Sequence, residues 1–222
     1  MIARIKNFAS FSAPLRLCGK YFSVPRARND YATHIPILIG LAGVREIRSV
    51  LEFGCGRYST LTFLNRSAFP RLERLESVEN DAAWAEVTND PRWTLTLIDG
   101  EISDSVSGLD LEQFDLILID DSKTSAQRAA TIRAVARQQP QHPWVVIHDY
   151  EIDEYRNAAT AFKHRYPFKS YNPQTGVVSN SPVNVAKLLD RQIKQNSTLE
   201  PDDITGWLCA HPINPENLVD PF

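Results

Sequence analysis

The residues of this sequence best suited to chemistry stand one after another at the ends of apolar runs. Glu52 sits near the close of Ser49-Val50-Leu51-Glu52-Phe53, Glu79 ends Arg74-Leu75-Glu76-Ser77-Val78-Glu79, and Asp99 follows Trp93 to Ile98. Asp120-Asp121 follow Phe114 to Ile119, and His148-Asp149 follow Trp144 to Ile147. A carboxylate accepts several hydrogen bonds at once, so it suits a diol or an ammonium group. A histidine titrates near neutral pH and can take a proton from a reacting hydroxyl. Asp120, His148 and Asp149 are therefore the candidates for chemistry. Each position also has a plain structural reading. Asp99-Gly100 is a common turn in its own right, and the plain reading of His148-Asp149 is a helix cap with its loop, over which the chemical reading is favoured. For Glu52 that reading is weaker, because an acid inside an apolar strand is costly to bury without a partner.

The glycines just after Glu52 say what such acids could serve. Gly54-Cys55-Gly56 interrupts the apolar run with a turn where backbone can approach a ligand closely. Ser59 or Thr60 can then cap a helix carrying Leu61, Phe63 and Leu64. Strand, glycine turn and helix start together make a nucleotide-type site. The turn does not complete the dinucleotide fingerprint, since Ser59 stands where its third glycine is expected.

The elements that must position these residues can be read in order. Asp30 to Leu41 reads as a helix burying Ile35, Ile37, Leu38, Ile39 and Leu41, ended by Gly40 to Gly43. Five strands follow at Ser49–Phe53, Arg74–Glu79, Trp93–Ile98, Phe114–Ile119 and Trp144–Ile147, with Asn80 and Asp81 capping the segment after the second. Ser125 to Gln139 and Asp153 to Arg165 read as helices, and Phe168 to Tyr171 with Gly176 to Ser179 as a closing antiparallel pair. Such alternation predicts an α/β fold, Rossmann-like and doubly wound, with a mostly parallel seven-stranded sheet, an antiparallel edge and helices on both faces. In sheets of this kind ligands sit beyond the carboxyl ends of the strands, the edge that carries every acid named above.

Glu52-Phe53-Gly54-Cys55-Gly56-Arg57-Tyr58-Ser59-Thr60 resembles motif I of the class I S-adenosylmethionine-dependent methyltransferases, in the version found in small bacterial enzymes of that superfamily. The resemblance spans roughly His34 to Val178. It implies S-adenosyl-L-methionine as cofactor, with Glu52, Gly54, Cys55, Gly56, Ser59, Glu79, Asn80, Asp99 and Asp120 around it. Glu52 would help hold the methionine moiety. Glu79, 25 positions after Gly54, would meet the ribose hydroxyls, and Asp99 the adenine amino group. It also implies methyl transfer to a small-molecule or glycan-like acceptor, at oxygen. Catechol-type relatives hold magnesium with acids at the fourth and fifth strand ends, which Asp120 and Asp149 match; Tyr150 stands where those relatives carry an asparagine. Arg57, Tyr58, Lys123 and the Asn172–Gly176 turn are further acceptor-side candidates. A nicotinamide-dependent oxidoreductase and a non-catalytic nucleotide-fold binding module are the rival readings.

Composition bounds the rest. The chain has 222 residues, 43% hydrophobic and 23% charged, which suits one soluble domain. A net charge of −3 gives no reason to expect nucleic acid, and the three scattered cysteines suggest neither a disulfide framework nor a zinc site. A cytoplasmic location is the expectation. Arg4, Lys6, Arg16, Lys20, Arg26 and Arg28 meet no acid before Asp30, so residues 1–46 are expected as an N-terminal helical segment packed on the core, with membrane-surface contact as the rival reading. Residues 47–190 are the expected Rossmann-like domain, and 191–222 a surface tail.

Overall fold

The computed structural model describes residues 30–85, 88–121, 124–169 and 172–181. The basic N-terminal stretch, Lys123, Tyr171 and the C-terminal tail lie outside the described residues. Seven strands form one sheet: β1 Ser49–Phe53, β2 Arg74–Glu79, β3 Trp93–Leu97, β4 Leu116–Ile119, β5 Trp144–His148, β6 His164–Phe168 and β7 Thr175–Ser179. Their order is β3-β2-β1-β4-β5-β7-β6. The pairs β1–β2, β1–β4, β2–β3 and β4–β5 are parallel, while β7 runs antiparallel to both β5 and β6. The antiparallel pairing falls at the expected edge, with β7 inserted inside β6 rather than outermost.

Strand periodicity divides the core. Val50, Leu75, Leu116, Leu118, Trp144, Val146 and Val177 face a layer containing Ile35, Leu38, Phe63 and Phe69. Leu51, Phe53, Ile117, Ile119, Val145, Ile147 and Val178 face the opposite one, with Ile132, Val135 and Phe162. Because successive side chains alternate across a sheet, strands covered on both faces must be apolar throughout, and β4 and β5 are buried at every position. Helix α1, Ile35–Val44, and α2, Ser59–Leu64, cover the first face. Helices α3, Ile102–Ser105, α4, Ser125–Arg137, and α5, Asp153–Ala158, cover the second. No helix among the described residues is long and apolar enough to cross a membrane.

Three local expectations are corrected. Gly40 and Gly43 do not end α1, which continues to Val44 and closes with the Arg45 N–H on Leu41 O. Glycine costs a helix interior about 1 kcal/mol, and burial of Ile35, Ile37, Leu38, Ile39 and Leu41 outweighs it. Ser59 and Thr60 do not cap α2; Tyr58 holds that position without a side-chain cap. The helix read as Asp153 to Arg165 stops at Ala158 and runs into a 3-10 turn, Ala159–Ala161. His164–Phe168 is instead drawn into strand pairing, His164 opposite Ser179 and Phe168 opposite Thr175, and Pro167 is tolerated because β6 is an edge strand.

Candidate functional site

The carboxyl ends of β1, β2 and β4 open onto a cavity of about 250 Å³ lined by the Gly54–Gly56 turn, Ser59, Glu79–Asp81, Asp120 and Arg128, with His34 and the rings of Tyr31, Tyr58 and Trp84. It lies beside β1, where the chain reverses from building the sheet toward β3 to building it toward β6.

The two glycines of the turn have different reasons to be glycine. Gly54 has φ +82°, and a Cβ there would lie 2.5 Å from the Asp120 carbonyl oxygen, so the fold itself excludes a side chain. At Gly56 a Cβ would meet only the Trp84 ring, at 3.8 Å. Gly56 lines the cavity, so a side chain there would take up space inside it.

Glu79 shapes this turn. Its Oε2 accepts from Cys55 N at 3.0 Å, and its Oε1 from Asn80 N at 2.7 Å and Asp81 N at 2.8 Å. Three main-chain donors thus hold the carboxylate on the cavity wall with acceptor capacity to spare. Asn80 Nδ2 donates to Gly100 O at 2.8 Å, and the Asp81 carboxylate accepts from Ala83 N, capping the 3-10 turn that carries Trp84. The Cys55 thiol donates to Trp84 O, and burial pushes it well up from its ordinary pKa, which makes it an unreactive thiol.

Glu52 lies beneath the turn, fully buried and off the cavity wall. Its Oε2 accepts from Thr60 Oγ1 at 2.8 Å and Ser77 Oγ at 2.6 Å, and Gly56 N donates to the same Thr60 hydroxyl. Burial raises the Glu52 pKa to about 7 against the opposing hydroxyls. The residue expected to hold the methionine end instead fastens β1, β2 and α2 together under the site. Asp99 is exposed and away from the cavity lining, so its turn reading is the one its position fits.

The chemistry candidates form one network. Asp120 Oδ1 meets Arg128 Nη2 at 3.0 Å and His148 Nδ1 at 3.1 Å. Arg128 Nη1 also donates to Asp149 Oδ2 at 2.7 Å, and its Nε to Asp121 O at 2.6 Å. Burial alone would raise the Asp120 pKa, but His148 and Arg128 outweigh it and hold the carboxyl well below its usual range. His148 is 3% exposed and does not line the cavity. Its Nε2 pairs with Thr33 Oγ1 at 2.9 Å, so both ring nitrogens are engaged by the protein. Burial would lower its pKa, yet the adjacent Asp120 raises it. His148, expected as a base on the acceptor, stands behind Asp120 rather than on the cavity wall. Asp149 takes φ +56°, tolerable for an aspartate, and spends its carboxylate on Arg128. Tyr150 turns away to lay its ring over Gly176, where a Cβ would come within 2.4 Å of that ring.

Four residues of the cavity lining were missed in the sequence: Tyr31, His34, Trp84 and Arg128. Arg128 is 7% exposed on the buried side of α4 with Ile132 and Val135, and an arginine in phase with a helix's apolar positions was the available signal. His34, 1% exposed, packs edge-on to His148 with ring centroids 4.9 Å apart. Neither of its nitrogens has a hydrogen-bond partner, and burial, followed by the charge on His148, lowers its pKa to about 3. Tyr31 stacks on Tyr58 at 6.4 Å and tilts toward Trp84 at 6.3 Å, which makes the mouth of the cavity aromatic.

No family model and no curated protein matches the chain in sequence. Among solved structures, cofactor-bound Rv0187 from MTB resembles it with a TM-score of 0.51 at 18% identity, over 81% of this chain and 93% of that one. Looser likenesses are an O-methyltransferase from Bacillus cereus in complex with SAH, at 0.47 and 12% over 80% and 93%, and the O-methyltransferase TomG from Streptomyces achromogenes with SAM, at 0.41 and 18% over 85% and 78%. At these identities the likeness is one of fold. The chain has a Rossmann-like α/β fold with a mostly parallel seven-stranded sheet and an antiparallel edge.

Proposed function

We propose that this chain transfers a methyl group from S-adenosylmethionine to the oxygen of a small-molecule acceptor. What carries the reading is one juxtaposition: a sheet in which antiparallel β7 enters between β5 and β6, and, on a single cavity wall of that sheet, the Gly54–Gly56 turn and the Glu79 carboxylate. The uninterrupted order of a dinucleotide-binding sheet lacks that insertion, which counts against the nicotinamide reading. The cavity fits the cofactor's chemistry. Gly56 leaves open the space a Cβ would take, and Glu79 keeps acceptor capacity for a ribose diol.

When bound, S-adenosylmethionine supplies the methyl group as a sulfonium electrophile. The protein's part is alignment for an in-line displacement. Asp120, kept ionised by Arg128 and His148, and the neutral imidazole of His34 offer hydrogen-bond acceptors to the hydroxyl to be methylated. The rings of Tyr31, Tyr58 and Trp84 favour an acceptor with a flat or apolar face, a sugar ring included. The magnesium pair of catechol-type enzymes does not fit, because the Arg128 guanidinium bridges Asp120 and Asp149 where that ion would sit. Calorimetry on the purified protein tests the proposal: S-adenosylhomocysteine binds and NAD does not. Binding of NAD alone, or of neither, would overturn it.

A further inference from the structure

His34, Asp120 and His148 come from three separate segments, the residue before α1 and the ends of β4 and β5, yet one ligand atom from each lies within 4.8 Å of the other two. His148 Nδ1 is 3.1 Å from Asp120 Oδ1, and His34 Nδ1 is 3.9 Å from Asp120 Oδ2. Metal–nitrogen bonds of about 2.1 Å place neighbouring ligand atoms about 3–3.5 Å apart. The cluster therefore needs only small side-chain rotations to close on one ion.

His34 supplies the independent observation. Its ring is buried, it borders the cavity, and neither nitrogen has a hydrogen-bond partner, an arrangement that costs free energy unless something binds there. The Thr33 hydroxyl at His148 Nε2 is the outer partner that metal-bound imidazoles characteristically have, and it leaves Nδ1 to face the cluster. Two imidazoles and one carboxylate suit borderline transition ions, whereas magnesium prefers an all-oxygen shell. Arg128 approaches the Oδ1 side of Asp120 and is itself matched by Asp149, while Oδ2 is turned toward His34.

We propose that His34, Asp120 and His148 form a site for one divalent transition-metal ion of the zinc or ferrous class, on the cavity wall with open coordination positions toward the cavity. The site does not depend on the methyl-transfer reading, and an ion bound there would take the place of the direct hydrogen bonds that Asp120 and His34 accept from an acceptor hydroxyl. Chelator-treated full-length protein titrated with Co²⁺ should develop the visible absorption of nitrogen-ligated cobalt, displaced by Zn²⁺ and untouched by Mg²⁺. His34→Ala should weaken Co²⁺ binding at least tenfold while its circular dichroism stays that of the parent. X-ray absorption on the cobalt-loaded parent should count two imidazole ligands, a measurement that does not depend on how the variant folds. No cobalt absorption, a folded His34→Ala with unchanged affinity, or fewer than two imidazoles would each overturn the proposal. S-adenosylhomocysteine binding measured on the same samples keeps this outcome separate from that of the proposed activity.

Discussion

Gly54 and Gly56, two residues apart, should answer substitution in opposite ways. Gly54→Ala forces a Cβ into the Asp120 backbone from a left-handed conformation, so a loss of more than about 2 kcal/mol in urea unfolding is expected. At Gly56 a Cβ meets only a ring at van der Waals distance, so Gly56→Val should melt near the parent temperature yet lose S-adenosylhomocysteine binding in calorimetry. Glu79→Ala strips the acceptor from three main-chain N–H groups as well as from the ligand, so it should lower both stability and affinity, the latter at least tenfold for a lost charge-assisted bond of about 1.5–3 kcal/mol. An affinity within twofold of the parent would remove Glu79 from the site. Strand-end acids and turn glycines were legible because their positions follow from strand periodicity alone. His34 was not, since before the fold is known a histidine ahead of an apolar helix differs in nothing from a satisfied core residue.

At the scale of elements, the ties under the site make stability depend on pH. The Glu52 carboxyl joins β1, β2 and α2, and its folded pKa is raised from 4.5 to about 7. A raised folded value means that the contribution is full below about pH 4.5 and is lost as pH rises through 7. Urea unfolding followed across this window should show the parent losing up to about 3 kcal/mol that Glu52→Gln does not lose. Arg128 joins α4 to the ends of β4 and β5, and Arg128→Leu leaves Asp120 and Asp149 with His148 alone among the described residues to balance two partly buried carboxylates. A cost of about 3–5 kcal/mol is expected by the same measurement. The parallel strands were readable because burial on both faces makes them continuously apolar. The start of β6 was not: His164, Tyr166 and Phe168 alternate with exposed Arg165 and Pro167, but five residues containing a proline are a short signal beside the preceding helical pattern, and the pairing with β7 decides it.

For the molecule as a whole, ligand binding and folding share one free energy. A ligand at one hundred times its Kd should add about 2.7 kcal/mol of stability, which for a protein of this size is a rise of roughly 5–10 °C in melting temperature. S-adenosylhomocysteine should produce that rise in a thermal scan and NAD should not. The parallel sheet with its helices on both faces could be derived from the sequence, because alternation and handedness leave few other topologies. The aromatic mouth could not, since Tyr31, Tyr58 and Trp84 stand far apart in the chain and meet only once it is folded.

The contact between Thr33 and His148 spans 115 positions, from the residue pair that precedes α1 to the last residue of β5. Closing so long a loop is slow, because chain entropy is lost before the contact returns anything. The wall that carries His34 is therefore expected to assemble late in folding, after the local helices. In a stopped-flow refolding experiment, recovery of S-adenosylhomocysteine binding should lag behind the far-ultraviolet signal of the helices.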